Sequence, residues 1–204
     1  MSGSPPLDLG EIGPGFAEPV ADAQNVFRLV LDAMAHPGRI VELPAAVLPA
    51  NESGLPDAAA AVALTLLDFE TPAWLDRGFA RAADYLRFHC GAPIVFDSKA
   101  SRFGFAEELP ALPALQDFDL GSIDFPDRST TLVLAVPMLE GRAGLTLRGP
   151  GIKDRAGLQV GGLTAAFWKE RADLAALFPL GVDLVLACGR RLAAIPRTTT
   201  VEGF

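Results

Sequence analysis

"VDLVLACGRRLAAIP", residues 182–196, sets two apolar runs on either side of Gly189 and Arg190. Glycine at the first of two central turn positions accepts the positive φ of a type II′ turn, whose twist suits two antiparallel strands. The segment therefore predicts an antiparallel hairpin. "TTLVLAV" at 130–136 is a continuous β-branched and apolar run, the pattern of a central strand covered on both faces. A helical stretch at 79–89, "FARAADYLRFH", stops at Gly91 and Pro93 and feeds "PIVF", the helix-to-strand step that builds α/β sheets. An antiparallel hairpin joined to such units makes the expected sheet mixed.

Other elements follow from the same patterns. From Asp22, read as an N-cap, apolar residues fall at Ala23, Val26, Phe27, Val30, Leu31 and Met34, the stripe of an amphipathic helix that Pro37 and Gly38 stop. "RIVEL" and "PAWL" read as short strands. "DAAAAVALTLLDF" reads as a helix so apolar all round that it should be well buried. A further helix is expected near 163–177. Residues 97–128, rich in proline and acidic residues, read as a long irregular excursion with one helical turn. Residues 1–19, rich in Pro and Gly, are expected to form a flexible arm or a segment draped over the surface, ahead of a single domain over 20–204.

Half of the 204 residues are hydrophobic and 21% are charged, so more apolar surface is expected than one monomer hides, and a partner interface follows. The net charge of −8 argues against nucleic acid, whose binding rests on clustered Lys and Arg. No charged start precedes an apolar run and no segment approaches a membrane span, so a cytoplasmic protein is expected. Cys90 and Cys188 are the two cysteines, each in an apolar neighbourhood, and are expected as reduced thiols.

Several chemistries lack their residues. His36, His89 and the two cysteines have no metal-finger spacing, and no GxSxG elbow marks a hydrolase. Lys99, Lys153 and Lys169 sit in no motif that would place them on pyridoxal phosphate, so neither metal nor cofactor is expected. His89 ends a helix where polar side chains can line an α/β cleft. "LTLRGPGIKD", residues 145–154, offers Arg148 beside Gly149 and Gly151: a cradle for a phosphoryl group, or a plain Gly-Pro-Gly turn. "AIPRTTT" adds Arg197 and Thr198, which can hold an oxyanion or pair at a sheet edge.

The order of "DAQNVFRLVLDAMAHPGRIVEL", "LTLLDFETPAWL", "LRFHCGAPIV", "LRGPGI" and above all "FPLGVDLVLACGRRLAAIPRTT" resembles the PhnH family of the bacterial carbon–phosphorus lyase system, over roughly residues 20–201. The resemblance implies a three-layer α/β sandwich with a mixed, mostly parallel sheet, similar to the large domain of pyridoxal-phosphate aminotransferases without the cofactor site. It implies a subunit that, with PhnG, PhnI and PhnL, replaces the adenine of ATP by an alkylphosphonate, giving a ribose 1-phosphonate 5-triphosphate. It also implies a core complex with PhnG, PhnI and PhnJ. No catalytic residue carries over. A phosphonate or nucleotide ligand at Arg148, Gly149, Gly151, Arg197, Thr198 or His89 is an expectation from chemistry, as is a homodimer when the chain is isolated. The alternatives are a stand-alone small-molecule enzyme that uses the Arg148 loop for a phosphorylated ligand, and a homodimeric scaffold with no ligand.

Overall fold

The computed structural model describes residues 12–50, 52–107 and 109–204. Helices α1 (Pro19–Ala35), α2 (Asp57–Leu66), α3 (Ala82–Cys90) and α4 (Ala165–Leu174) surround two sheets. The larger sheet runs β1-β9-β8-β5-β4-β2-β3, from β1 (Val41–Glu42), β2 (Ala73–Leu75), β3 (Ile94–Val95), β4 (Phe103–Ala106), β5 (Thr131–Ala135), β8 (Asp183–Cys188) and β9 (Arg191–Ile195). Pairings from β8 through β5, β4 and β2 to β3 are parallel, while β9 is antiparallel to both β8 and β1. The sheet is thus mixed and mostly parallel. Cys188 pairs with Arg191 across the two-residue turn, and Gly189 has φ 58° while no non-glycine residue among the described residues, Arg190 included, has positive φ, which excludes type I′ and leaves the type II′ hairpin.

Alternate residues of the central strands enter two cores, which is why these strands read as unbroken apolar runs. Phe105, Val133, Val185, Ala187, Leu192 and Ala194 face α1, α2 and α3. Leu132, Leu134, Leu184, Leu186, Ala193 and Ile195 face the other way. Residues 58–63 of α2, five alanines and a valine, are all buried, and such small side chains let the helix lie close to β5 and β8.

The third layer departs from an all-helical covering. It combines α4 with a second sheet, β10-β6-β7, of β6 (Leu139–Arg148), β7 (Ala156–Val160) and β10 (Thr200–Glu202), antiparallel throughout. Leu139, Leu147, Leu158 and Val201 of this sheet share a core with Trp168 and Leu174 of α4. The α/β class with a mixed sheet holds. The likeness to the aminotransferase large domain finds no support, because a β-sheet forms much of this layer.

Two local expectations also change. Helix α1 begins at Pro19, whose ring pre-sets φ for the first turn, with Glu18 at the N-cap; Asp22 lies inside the first turn, where its Oδ2 accepts from Glu18 N at 2.9 Å. The excursion at 97–128 contains strand β4 among short 3₁₀ turns. Gly104 makes this strand possible, since a Cβ there would lie 2.6 Å from Leu132 Cδ2. The expected arm at 1–19 falls, for residues 1–11, outside the described residues. Residues 12–18 lie against α3: Tyr85 Oη donates to Pro14 O at 3.2 Å, and His89 Nε2 to Gly13 O at 2.9 Å.

Candidate functional site

The parallel strands give the sheet two ends. Past the carboxyl ends of β4 and β5 lies a cavity of about 470 Å³ whose lining includes Glu107, Leu109, Ala135, Val136 and Gly162. Asp76, just after β2, is buried and accepts from Phe79 N at 3.0 Å and from Glu107 N at 2.7 Å, tying this end together. Ligands of open α/β sheets usually bind at carboxyl ends. Among the described residues that line it, Glu107 is the one that carries a charge, so the field disfavours an anion.

The amino ends of β5 and β8 are cationic. Asp183, the first residue of β8, receives a fork from Arg197: Nε donates to Oδ1 at 3.2 Å and Nη2 donates to Oδ2, while Arg197 N donates to Oδ1 at 2.7 Å. The two side chains are 12% and 15% exposed, so the pair is largely desolvated. Arg197 Nη1 also donates to Pro126 O, ahead of β5. Arg171 of α4, only 2% exposed, donates through Nη2 to Pro196 O at 2.8 Å and Thr199 O at 3.4 Å. Burial lowers its pKa from the ordinary value; the Asp183 carboxylate opposes that shift and the Arg197 charge adds to it.

Arg197 thus pairs with a buried carboxylate whose charge also reaches Arg171, and Arg171 Nε and Thr199 Oγ1 are buried with no hydrogen-bond partner. Each such group costs about 1 to 3 kcal/mol relative to a satisfied one. Beside this cluster a cavity of about 280 Å³ is lined by Pro150, Ala175, Phe178, Arg197, Thr198 and Thr200.

The Arg148 loop forms part of the same end. Ile152 N donates to Gly149 O at 3.1 Å and Gly151 has φ 80°, the geometry of a Pro-Gly type II turn. A Cβ at Gly149 would lie 2.8 Å from Thr198 O, and one at Gly151 would lie 2.0 Å from Ala35 O. Both glycines are therefore demanded by backbone packing. The Arg148 side chain, about half exposed, leaves the cavity and approaches Glu202, Nε to Oε2 at 3.8 Å.

Arg148, Gly149, Gly151, Arg197 and Thr198, far apart in sequence, are thus brought together. His89 is not with them; it stands on α3, in the helical layer, stacked near Tyr85 and Phe88. Sequence reasoning passed over Arg171 and Asp183. A signal existed, because Trp168, Arg171 and Leu174 recur every three residues on the buried side of α4, which puts a cation where an apolar residue belongs.

Residues 14–202 match the family of the bacterial phosphonate metabolism protein PhnH. The alpha-D-ribose 1-methylphosphonate 5-triphosphate synthase subunit PhnH of Rhizobium meliloti (strain 1021) is 42% identical over 189 residues, covering 92% of this chain and 94% of that protein. The putative C-P lyase subunit protein HtxG of Stutzerimonas stutzeri is 35% identical over 179 residues, 88% of this chain and 85% of its own.

Proposed function

Because the chain belongs to the PhnH family, we propose that it acts as the corresponding subunit of an alpha-D-ribose 1-methylphosphonate 5-triphosphate synthase in phosphonate breakdown. The observation that carries this reading is the 42% identity to the Rhizobium meliloti subunit over nearly the whole of both chains. At that identity and coverage a shared fold and shared role are the economical account, although fold alone would not fix function. The chain works with partners of the PhnG, PhnI, PhnJ and PhnL kinds rather than turning over substrate alone.

The surface supports a subunit. Val20, Phe27 and Leu31 of α1 follow a seven-then-four spacing, lie on one side of the helix and are each at least half exposed. An apolar stripe of this kind is what a partner chain covers. The same stripe supports self-association of the isolated chain through a two-fold contact. Light scattering at about 50 µM, above the dissociation constants of ordinary stable interfaces, checks that part, and a clean monomer overturns it.

Reconstitution tests the function. Mixtures of ATP, methylphosphonate and the other subunits should release adenine when this chain is added and not when it is omitted, and the chain should co-purify with a tagged partner subunit. Full adenine release without it overturns the reading.

A further inference from the structure

We propose that the open edge of the larger sheet, strand β3 with Phe69, Phe88 and Phe96 beside it, is a docking surface on which an extended, basic-flanked segment of a partner subunit adds a strand. This docking rests on the subunit reading. It lies away from the α1 stripe, because α1 packs on β1 and β9 at the far side of the sheet.

The backbone fits a strand. Strand β3 ends the sheet and, among the described residues, no strand pairs with its outer side. Pro93 O accepts from Ala73 N at 2.8 Å, and Ala73 and Trp74 pair in parallel with Ile94 and Val95, so residues 93 and 95 turn their polar groups toward β2. The N–H and C=O of Ile94 then point outward, by the alternation of a strand. Sheet edges are commonly guarded by proline or by charge. Here Pro93 occupies an inward position, so the N–H it lacks is not one that the edge would offer. The opposite edge differs, since β1 carries a charged pair, Glu42 Oε1 with Arg190 Nη2 at 2.8 Å.

The side chains define what kind of strand fits. Phe96, just past the carboxyl end of β3, is 93% exposed, the highest value of any large apolar side chain among the described residues. Phe69 and Phe88, each more than half exposed, stand at the amino end. Phe88 is on the last turn of α3, and a Cβ at Gly91 would lie 3.8 Å from Phe69 Cβ. Aromatic side chains at both ends of an open strand give an added strand apolar contacts as well as main-chain bonds.

The surrounding charge is acidic. Asp68 and Glu70 flank Phe69, Asp97 follows Phe96, and all three are exposed. Lys99 offsets one of them, and Arg87 is paired with Asp84 at 2.9 Å. A second copy docked here about a two-fold axis would set Asp68 and Glu70 against its own Asp97, so like charges would meet. A segment with Lys or Arg on either side of an apolar centre meets opposite charge instead.

The test is amide exchange at single-residue resolution, on the full chain alone and in complex with the other synthase subunits. The Ile94 amide should exchange in the isolated chain and slow by about tenfold or more in the complex, while the Val95 amide, turned to β2, is protected in both. Phe96→Ala, at an exposed position, should keep native circular dichroism and weaken capture by the subunits by about tenfold, the loss of one aromatic anchor. Glu70→Lys should slow association.

A complex in which Ile94 exchanges as freely as in the isolated chain overturns the docking site and leaves the subunit reading standing. So does undiminished capture of Phe96→Ala. Protection of Ile94 in the isolated chain overturns it too: protection that rises with protein concentration assigns the edge to a second copy, and protection at every concentration assigns it to the chain itself. Failure to enter any complex removes the subunit reading, and the docking site with it.

Discussion

Past the carboxyl ends of β4 and β5 the chain leaves about 470 Å³ beside Glu107; at the amino ends of β5 and β8 it leaves about 280 Å³ beside Arg197, Thr198 and Thr200. Topology favours the first place for a ligand, since strand ends diverge there and loops close around the crevice. Electrostatics favours the second for an anion. At the first end the buried carboxylate, Asp76, spends its oxygens on backbone N–H groups and so stabilises the loops. At the second, the carboxylate of Asp183 is outnumbered by guanidiniums. Location in the fold nominates a cavity, and the balance of buried charge says what can enter it.

Breaking the cationic end should cost most. Arg197→Ala leaves Asp183 buried without its fork, and should lower unfolding free energy by about 3 kcal/mol, the lower end for removing one member of a buried pair. Urea denaturation measures this. Glu107→Ala, at the exposed lining of the opposite cavity, should stay within about 0.5 kcal/mol of the parent. Equal losses at both ends would erase the contrast.

Next in size is the turn that closes the cationic end. Gly151→Ala places a Cβ against Ala35 O at a positive φ, and should cost about 2 kcal/mol, seen as a lower Tm. Arg148→Ala removes only an exposed, long ion pair, so its loss should be under about 1 kcal/mol. A larger loss for Arg148→Ala than for Gly151→Ala would show that the Arg148–Glu202 pair, and not the backbone packing of the glycine, holds the loop.

The smallest expected effect sharpens the comparison from the helical layer. Burial, and secondarily the Asp68 carboxylate, push the Cys90 thiol up to about 12, and its Sγ donates to Ala63 O at 3.7 Å. The folded chain therefore keeps this proton longer than the unfolded chain does. Its contribution to stability is complete below the ordinary thiol value of 9.0 and is lost as pH climbs from there toward about 12. Alkylation of Cys90 near pH 8 should be slow. It should remain slow in Arg197→Ala at low urea if that variant loosens only the cationic end, and acceleration would show that the cationic end and the helical layer are coupled through the sheet.

The hairpin at 182–196, the central strand β5 and helices α1 to α3 were legible because each carries a local pattern: a turn glycine, an unbroken apolar run, or a three-and-four spacing. Strand β4 was not. "FGFA" has no β-branched residue, and its glycine is there because Leu132 and Phe118 press on that position from neighbouring strands and loops. The second sheet escaped for a related reason. Strand β10 is three residues long and gains its partner, β6, from more than fifty residues away, a pairing that no window of sequence contains.

By itself the sequence determined the α/β class, the mixed sheet and the family, since these follow from local periodicity and from the order of long apolar motifs along the chain. It also placed Arg148, Arg197 and their glycines and threonines among the candidates, because residue type alone declares which groups can meet an oxyanion. The tertiary structure alone decided which of these share a cavity, that Arg148 turns away to Glu202, that His89 belongs to another layer, and that Arg171 lies buried beneath the 196–199 turn. The physical reason is range. Propensity and patterning act over a few residues, whereas the field in a cavity sums charges that only folding brings within a few ångströms and shields from water.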